Sequence, residues 1–65
     1  MITVNGDPLD WHPEMTVQDV LDAKSYTFRM IGVWVNDKPV PKAEFKSFVV
    51  PEGAVVQAIH MVSGG

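Results

Sequence analysis

The most distinctive chemical group in this sequence is the main-chain carboxylate that follows Gly64 and Gly65. Glycine lacks a Cβ, so a Gly-Gly end is slim and can thread a channel too narrow for a side chain. Chain ends are commonly frayed, so the pair acquires meaning only from what precedes it. Other reactive groups are sparse. The absence of Cys removes thiolate catalysis, disulfides and Cys-based metal sites together. Nothing in the spacing of the two histidines, His12 and His60, supplies the further ligands a metal would need, and His60 is expected as a polar residue near a strand end. Asp19 and Asp22 stand at i, i+3 and could be mistaken for paired carboxylates, but solvated helix surface is the better reading. Gly32, inside an apolar run, is consistent with a bulge, with close approach by a partner, or with ordinary packing. There is no glycine-rich phosphate loop. These residues form no catalytic constellation, and the chain is not expected to be an enzyme.

Positioning the tail falls to one small domain. A chain of 65 residues buries about 60% of the surface its unfolded form exposes, which leaves little room for a large cleft. Its 46% hydrophobic content argues against disorder, and no apolar run approaches the roughly 18 residues of a membrane span. The formal charge is -3, and the basic residues are scattered, which makes nucleic acid a poor partner. The first residues alternate like a strand rather than forming a basic and then apolar leader, so the expected location is the cytoplasm.

In order, Ile2 and Val4 alternate with polar neighbours, Asn5-Gly6-Asp7-Pro8 reads as a turn, and Leu9 and Trp11 alternate again, predicting a β-hairpin. Thr16 is a plausible helix N-cap, with Asp19 at the third helical position and Val17, Val20 and Leu21 on one buried face. Lys24 to Arg29 is either a helix end or a loop. Met30 to Val35 predicts a central strand, Asn36-Asp37 a turn, and Lys38 to Pro41 a return at a sheet edge, since Pro39 and Pro41 donate no hydrogen bond. Lys42 to Lys46 suggests a helical or 3₁₀ turn that tucks Phe45 inward, with a brief strand at Ser47 to Val50. After the turn at Pro51-Glu52-Gly53, Val55 to Val62 has the length and composition of a strand. A hairpin, one helix across it and a last strand returning to the sheet interior describe an α+β, ubiquitin-like β-grasp fold of four to five strands. The domain would span residues 1–62, with 63–65 as a flexible tail.

The residues themselves resemble a family. Ile2-Thr3-Val4-Asn5-Gly6, Thr16-Val17-Gln18-Asp19-Val20-Leu21, the stretch Val35 to Phe45 and the segment Pro51 to Gly65 together look like the ubiquitin-like sulfur carriers of bacteria and archaea, nearer the ThiS type than the MoaD type. The middle stretch discriminates most: Val35-Asn36, Val40-Pro41 and a following aromatic fill the family's places, although that aromatic is usually Trp and here is Phe45. The resemblance implies that a ThiF-like adenylating enzyme uses ATP and magnesium to convert the Gly65 carboxylate into an acyl-adenylate. A sulfur-donating protein then supplies the sulfur that leaves a thiocarboxylate. The implied acceptor is a ThiG-like thiazole synthase of thiamine biosynthesis. On this reading the chain itself binds no cofactor. A MoaD-like or other carrier, feeding molybdopterin synthesis or tRNA thiolation, is the alternative within the class. A non-reactive β-grasp interaction module is the alternative outside it.

The last strand suggests where partners dock. If Val56 and Ala58 point into the core, strand alternation sends Val55, Gln57, Ile59 and Met61 to the other face. Ile59, Met61 and Val62, with Trp34 on the neighbouring strand, would then form an apolar docking surface beside the tail residues Ser63, Gly64 and Gly65. A register slip of one residue would bury Ile59 and Met61 instead.

Overall fold

A computed structural model describes residues 1–26 and 30–60. Strand β1 (Ile2–Val4) and strand β2 (Asp7–Leu9) are followed by helix α1 (Val17–Ala23), strands β3 (Ile31–Val35) and β4 (Lys38–Val40), a 3₁₀ turn at Lys42–Glu44, and strand β5 (Val55–His60). The sheet order is β2-β1-β5-β3-β4. Strand β5 therefore lies in the centre, parallel to β1 and antiparallel to β3. The two hairpins occupy the flanks, and α1 covers one face, which is the β-grasp arrangement.

Two-residue turns close both hairpins. Asn5 and Gly6 adopt φ of 52° and 87°, and Asn36 and Asp37 adopt 51° and 67°. Positive φ at both central residues is the geometry that matches strand twist in a tight hairpin. The two hairpins also echo each other in sequence: in Val4-Asn5-Gly6-Asp7-Pro8 and Val35-Asn36-Asp37-Lys38-Pro39 a Val ends the first strand, an Asn opens the turn, and a Pro stands second in the returning strand. Pro8 and Pro39 both lie on edge strands, where a missing N–H is tolerated.

The first hairpin differs from expectation. Asp7 and Pro8 belong to β2, which ends at Leu9, so Trp11 lies beyond the strand. With only Asn5 and Gly6 in the turn, pairing resumes at once, as Val4 faces Asp7 and Thr3 faces Pro8. Trp11 instead donates its indole N–H to the Val50 carbonyl at 2.7 Å. The brief strand expected at Ser47 to Val50 is reduced to a single bridge between Thr16 and Val49. That segment serves the helix instead: the carbonyls of Phe45 and Phe48 accept from the N–H groups of Gln18 and Val17. These are first-turn donors that have no partner within a helix.

Helix α1 is too short to persist alone, because isolated helices below about 12 residues are marginal in water. Packing holds it, through Val17, Val20 and Leu21, which are buried in one cluster with Ile2, Val4, Val33, Val35 and Val56. A capping box starts it. The Thr16 hydroxyl accepts from the Asp19 N–H at 3.2 Å, and the Asp19 carboxylate accepts from the Thr16 N–H at 3.0 Å. That backbone N–H bond is the main cause that lowers the Asp19 carboxyl below the usual aspartate range. A depressed carboxylate stabilises the fold above its unfolded pKa, and the contribution is lost as pH falls through the folded value. Thr16→Ala should lower stability by about 1 kcal/mol at neutral pH, read as a shift of the urea midpoint at unchanged slope.

Candidate functional site

Two parts could carry function, the uncovered face of the sheet and the C-terminal tail. Met61, Val62, Ser63, Gly64 and Gly65, and the domain boundary expected at residue 62, lie outside the described residues.

On β5 the alternation settles the register. Val56 and Ala58 are buried on the helix side, while Val55, Gln57 and Ile59 are exposed on the other. Pairing extends this second face sideways: Ile59 stands opposite Gly32, Gln57 opposite Trp34, and Val55 opposite Thr3. Trp34 is half-buried and lies diagonal to Ile59, a separation of roughly 7–8 Å that a large aromatic can bridge. Gly32 has no side chain of its own, which leaves the flank of Ile59 open on that side. Val55 and Ile59 are 53% and 50% exposed. Met30, just before β3 and in phase with Gly32 and Trp34, is 55% exposed. The strand positions of this face carry no charge, whereas Asp7 and Lys38 alternate to the opposite phase at the two edges. Such an uncharged apolar surface on a small domain is the kind that partners cover. Met30 was not singled out by sequence reasoning, although its even spacing from Gly32 and Trp34 is the signal that places it here.

The remaining candidates are accounted for structurally. Asp19 belongs to the capping box, and Asp22 accepts from the Gln18 side chain at 2.9 Å. His12 is exposed and its Nδ1 lies 3.0 Å from the Pro13 carbonyl. His60 ends β5 opposite Ile31, away from His12 in sequence and on the opposite phase from Ile59. Among the described residues no His, Asp and Glu come together in a group that could hold a metal ion. No described helix is long and apolar enough to cross a membrane.

Comparison with known proteins places this geometry among relatives. The chain matches the ThiS family over residues 2–65. No curated protein matches it by sequence. Among solved structures it is similar to the crystal structure of a thiamine biosynthesis protein (ThiS) from Geobacter metallireducens. The two are 24% identical, with 98% of this chain and 97% of that one covered, at a TM-score of 0.78. At that identity the likeness is one of fold.

Proposed function

Because the chain belongs to the ThiS family, whose members are small sulfur carriers and not catalysts, we propose that it carries sulfur for thiamine biosynthesis on the carboxylate of Gly65. The observation that supports this most is the extent of the family match, which runs through the Gly-Gly end to residue 65. The chemistry follows from the carboxylate. A carboxylate is a poor acylating agent, since its leaving group would be an oxide. An adenylating partner of the ThiF type, supplying ATP and magnesium, would attach AMP to it. The terminal sulfur of a donor protein's persulfide would then displace AMP at the acyl carbon to give an acyl disulfide, and a thiol would cleave its S–S bond, releasing the thiocarboxylate and leaving a disulfide on the donor. Thiazole synthase would be the acceptor, and the cytoplasm the compartment. The carrier supplies no acid or base in this scheme, only a domain to be held and a carboxylate to be modified.

Holding would fall to the uncharged sheet face. Ile59 and Trp34 are its centre, and Met30 and Val55 extend it. Ile59→Asp places a charge on this face without touching the buried cluster. It should weaken binding to the adenylating partner by about 2 kcal/mol or more, roughly thirtyfold, as expected for a central apolar anchor. The thermal midpoint should move little, because Ile59 is half exposed. Calorimetric titration against the partner, paired with a melting curve, reads both quantities, and unfolding of the variant would contradict the placement of Ile59.

The test of the function is a mass measurement. Incubated with its adenylating partner, Mg-ATP and a sulfur donor, the full chain should exchange one oxygen for sulfur. Unchanged mass under conditions in which the partner is shown to be active would remove the carrier reading.

A further inference from the structure

Strand β1 pairs with β5 only as far as Val4 and Val56, because at Asn5 the chain turns away into the hairpin. The Asn5 N–H still reaches the Val56 carbonyl at 2.9 Å. Beyond that point the flank of β5 facing β1 would be bare. The Asn5 side chain fills the place of the departed strand. Its Oδ1 accepts from the Ala58 N–H at 2.8 Å, and its Nδ2 donates to the Ala58 carbonyl at 2.9 Å. One carboxamide thus copies a peptide group and satisfies both main-chain groups of a residue 53 positions later. Nδ2 also donates, at 3.5 Å, to the hydroxyl of Tyr26, three residues past the end of α1.

The second hairpin carries an equivalent device at the other end of the same strand. Asn36 donates its N–H to the Val55 carbonyl and accepts the Val55 N–H on Oδ1, each at 2.9 Å. The two asparagines therefore grip β5 from opposite flanks, Asn36 at its entry and Asn5 near its exit. Only the Asn5 grip lies next to the segment that continues to Gly65.

We infer that Asn5 is a positioning residue for the carrier carboxylate: it holds β5 in place at Ala58, near the end of the strand from which the chain runs on to Gly65, when the modifying enzymes engage it. This inference rests on the carrier reading. Docking through the outward side chains of β5 and β3 does not involve Asn5, so its removal should leave partner affinity alone and change how productively the tail arrives.

The experiment compares the intact chain with Asn5→Gly, Asn5→Asp and Asn36→Gly. Glycine keeps the positive φ of both turns while deleting the carboxamide, so the hairpins remain able to form. Sulfur loading is followed with the adenylating partner, Mg-ATP and sulfur donor, separating kcat from KM for the carrier. Asn5→Gly is expected to lower kcat by about ten- to a hundredfold at unchanged KM, since a misplacement of about 1 Å has effects of this size. Asn5→Asp, which keeps the acceptor for the Ala58 N–H but loses the donor, should fall between. Asn36→Gly should retain kcat even where its melting temperature drops as far. Equal losses of kcat in Asn5→Gly and Asn36→Gly, or a full kcat in Asn5→Gly, would overturn the inference. If the unmodified chain takes up no sulfur, the carrier reading fails and the assigned role for Asn5 falls with it. Amide exchange then still tests the grip: the Ala58 amide, which Asn5 holds, should exchange faster in Asn5→Gly than in Asn36→Gly, and equal rates would show that the carboxamide does not hold the strand.

Discussion

A chain lacking Gly65 should take up sulfur more than about a hundredfold more slowly, with its fold, melting curve and partner affinity unchanged. The shortened chain still ends in glycine, since Gly64 becomes terminal. The loss therefore cannot be assigned to a change of residue type at the reacting carboxylate. What changes is reach. One residue of extended chain spans about 3.3–3.6 Å. In a reaction whose rate depends on alignment, displacement by even about 1 Å can cost a hundredfold, so a full residue should reduce loading by well over that factor. The sheet face that would hold the domain is untouched, which separates this effect from the weakened docking expected of Ile59→Asp. Rates of oxygen-to-sulfur exchange, measured beside partner affinity, check the result. Loading at the normal rate by the shortened chain would mean that chain length does not set the position of the reactive group.

Phe45→Ala should leave much of the protein unfolded at 37 °C. Phe45 is 4% exposed and closes one end of the core, directly after the 3₁₀ turn. Its carbonyl also accepts from the Gln18 N–H at 2.8 Å, so the same residue ties the loop to the start of α1. Truncating a buried Phe to Ala typically costs about 3–5 kcal/mol through lost transfer energy and the cavity left behind. A single core in a chain below about 70 residues rarely supplies more than that in total. The loss and the reserve are of the same size, so the folded fraction should collapse. Circular dichroism with urea titration reads this directly. The family's more usual aromatic at this place is larger, and Phe45→Trp should cost about 1–3 kcal/mol through overpacking, less than the truncation. A Phe45→Ala chain as stable as the parent would show that the loop from residue 42 to 50 contributes little to the core.

Much of this architecture is legible in the residues because it depends on local rules. Asn5-Gly6 specifies a tight turn, Thr16 with Asp19 specifies a helix start, and the composition of Val55 to His60 specifies a strand, although which of its sides faces the helix is settled only by the fold. Each of these needs only a few neighbouring positions. Three features escaped for a common reason. Pro8 reads as part of a turn, and only its place at the sheet edge makes it acceptable in β2. The segment after Phe45 reads as a strand, yet the helix N-terminus recruits its carbonyls and leaves one bridge. The carboxamide of Asn5 reads as turn chemistry alone, because its partner, Ala58, lies 53 residues away. In the candidate site, Ile59 and Trp34 follow from strand phase, and Met30 would have followed from the same count. Long-range side-chain-to-backbone bonds have no comparable periodic signal.

On the proposed function, sulfur enters at one atom of one residue. The most direct measurement is therefore fragmentation mass spectrometry of the full chain after incubation with its adenylating partner, Mg-ATP and a sulfur donor. A single oxygen should be replaced by sulfur, retained in every fragment that contains Gly65 and absent from every fragment that lacks it. Sulfur found on any other residue, or a chain of unchanged mass beside an active partner, would contradict it.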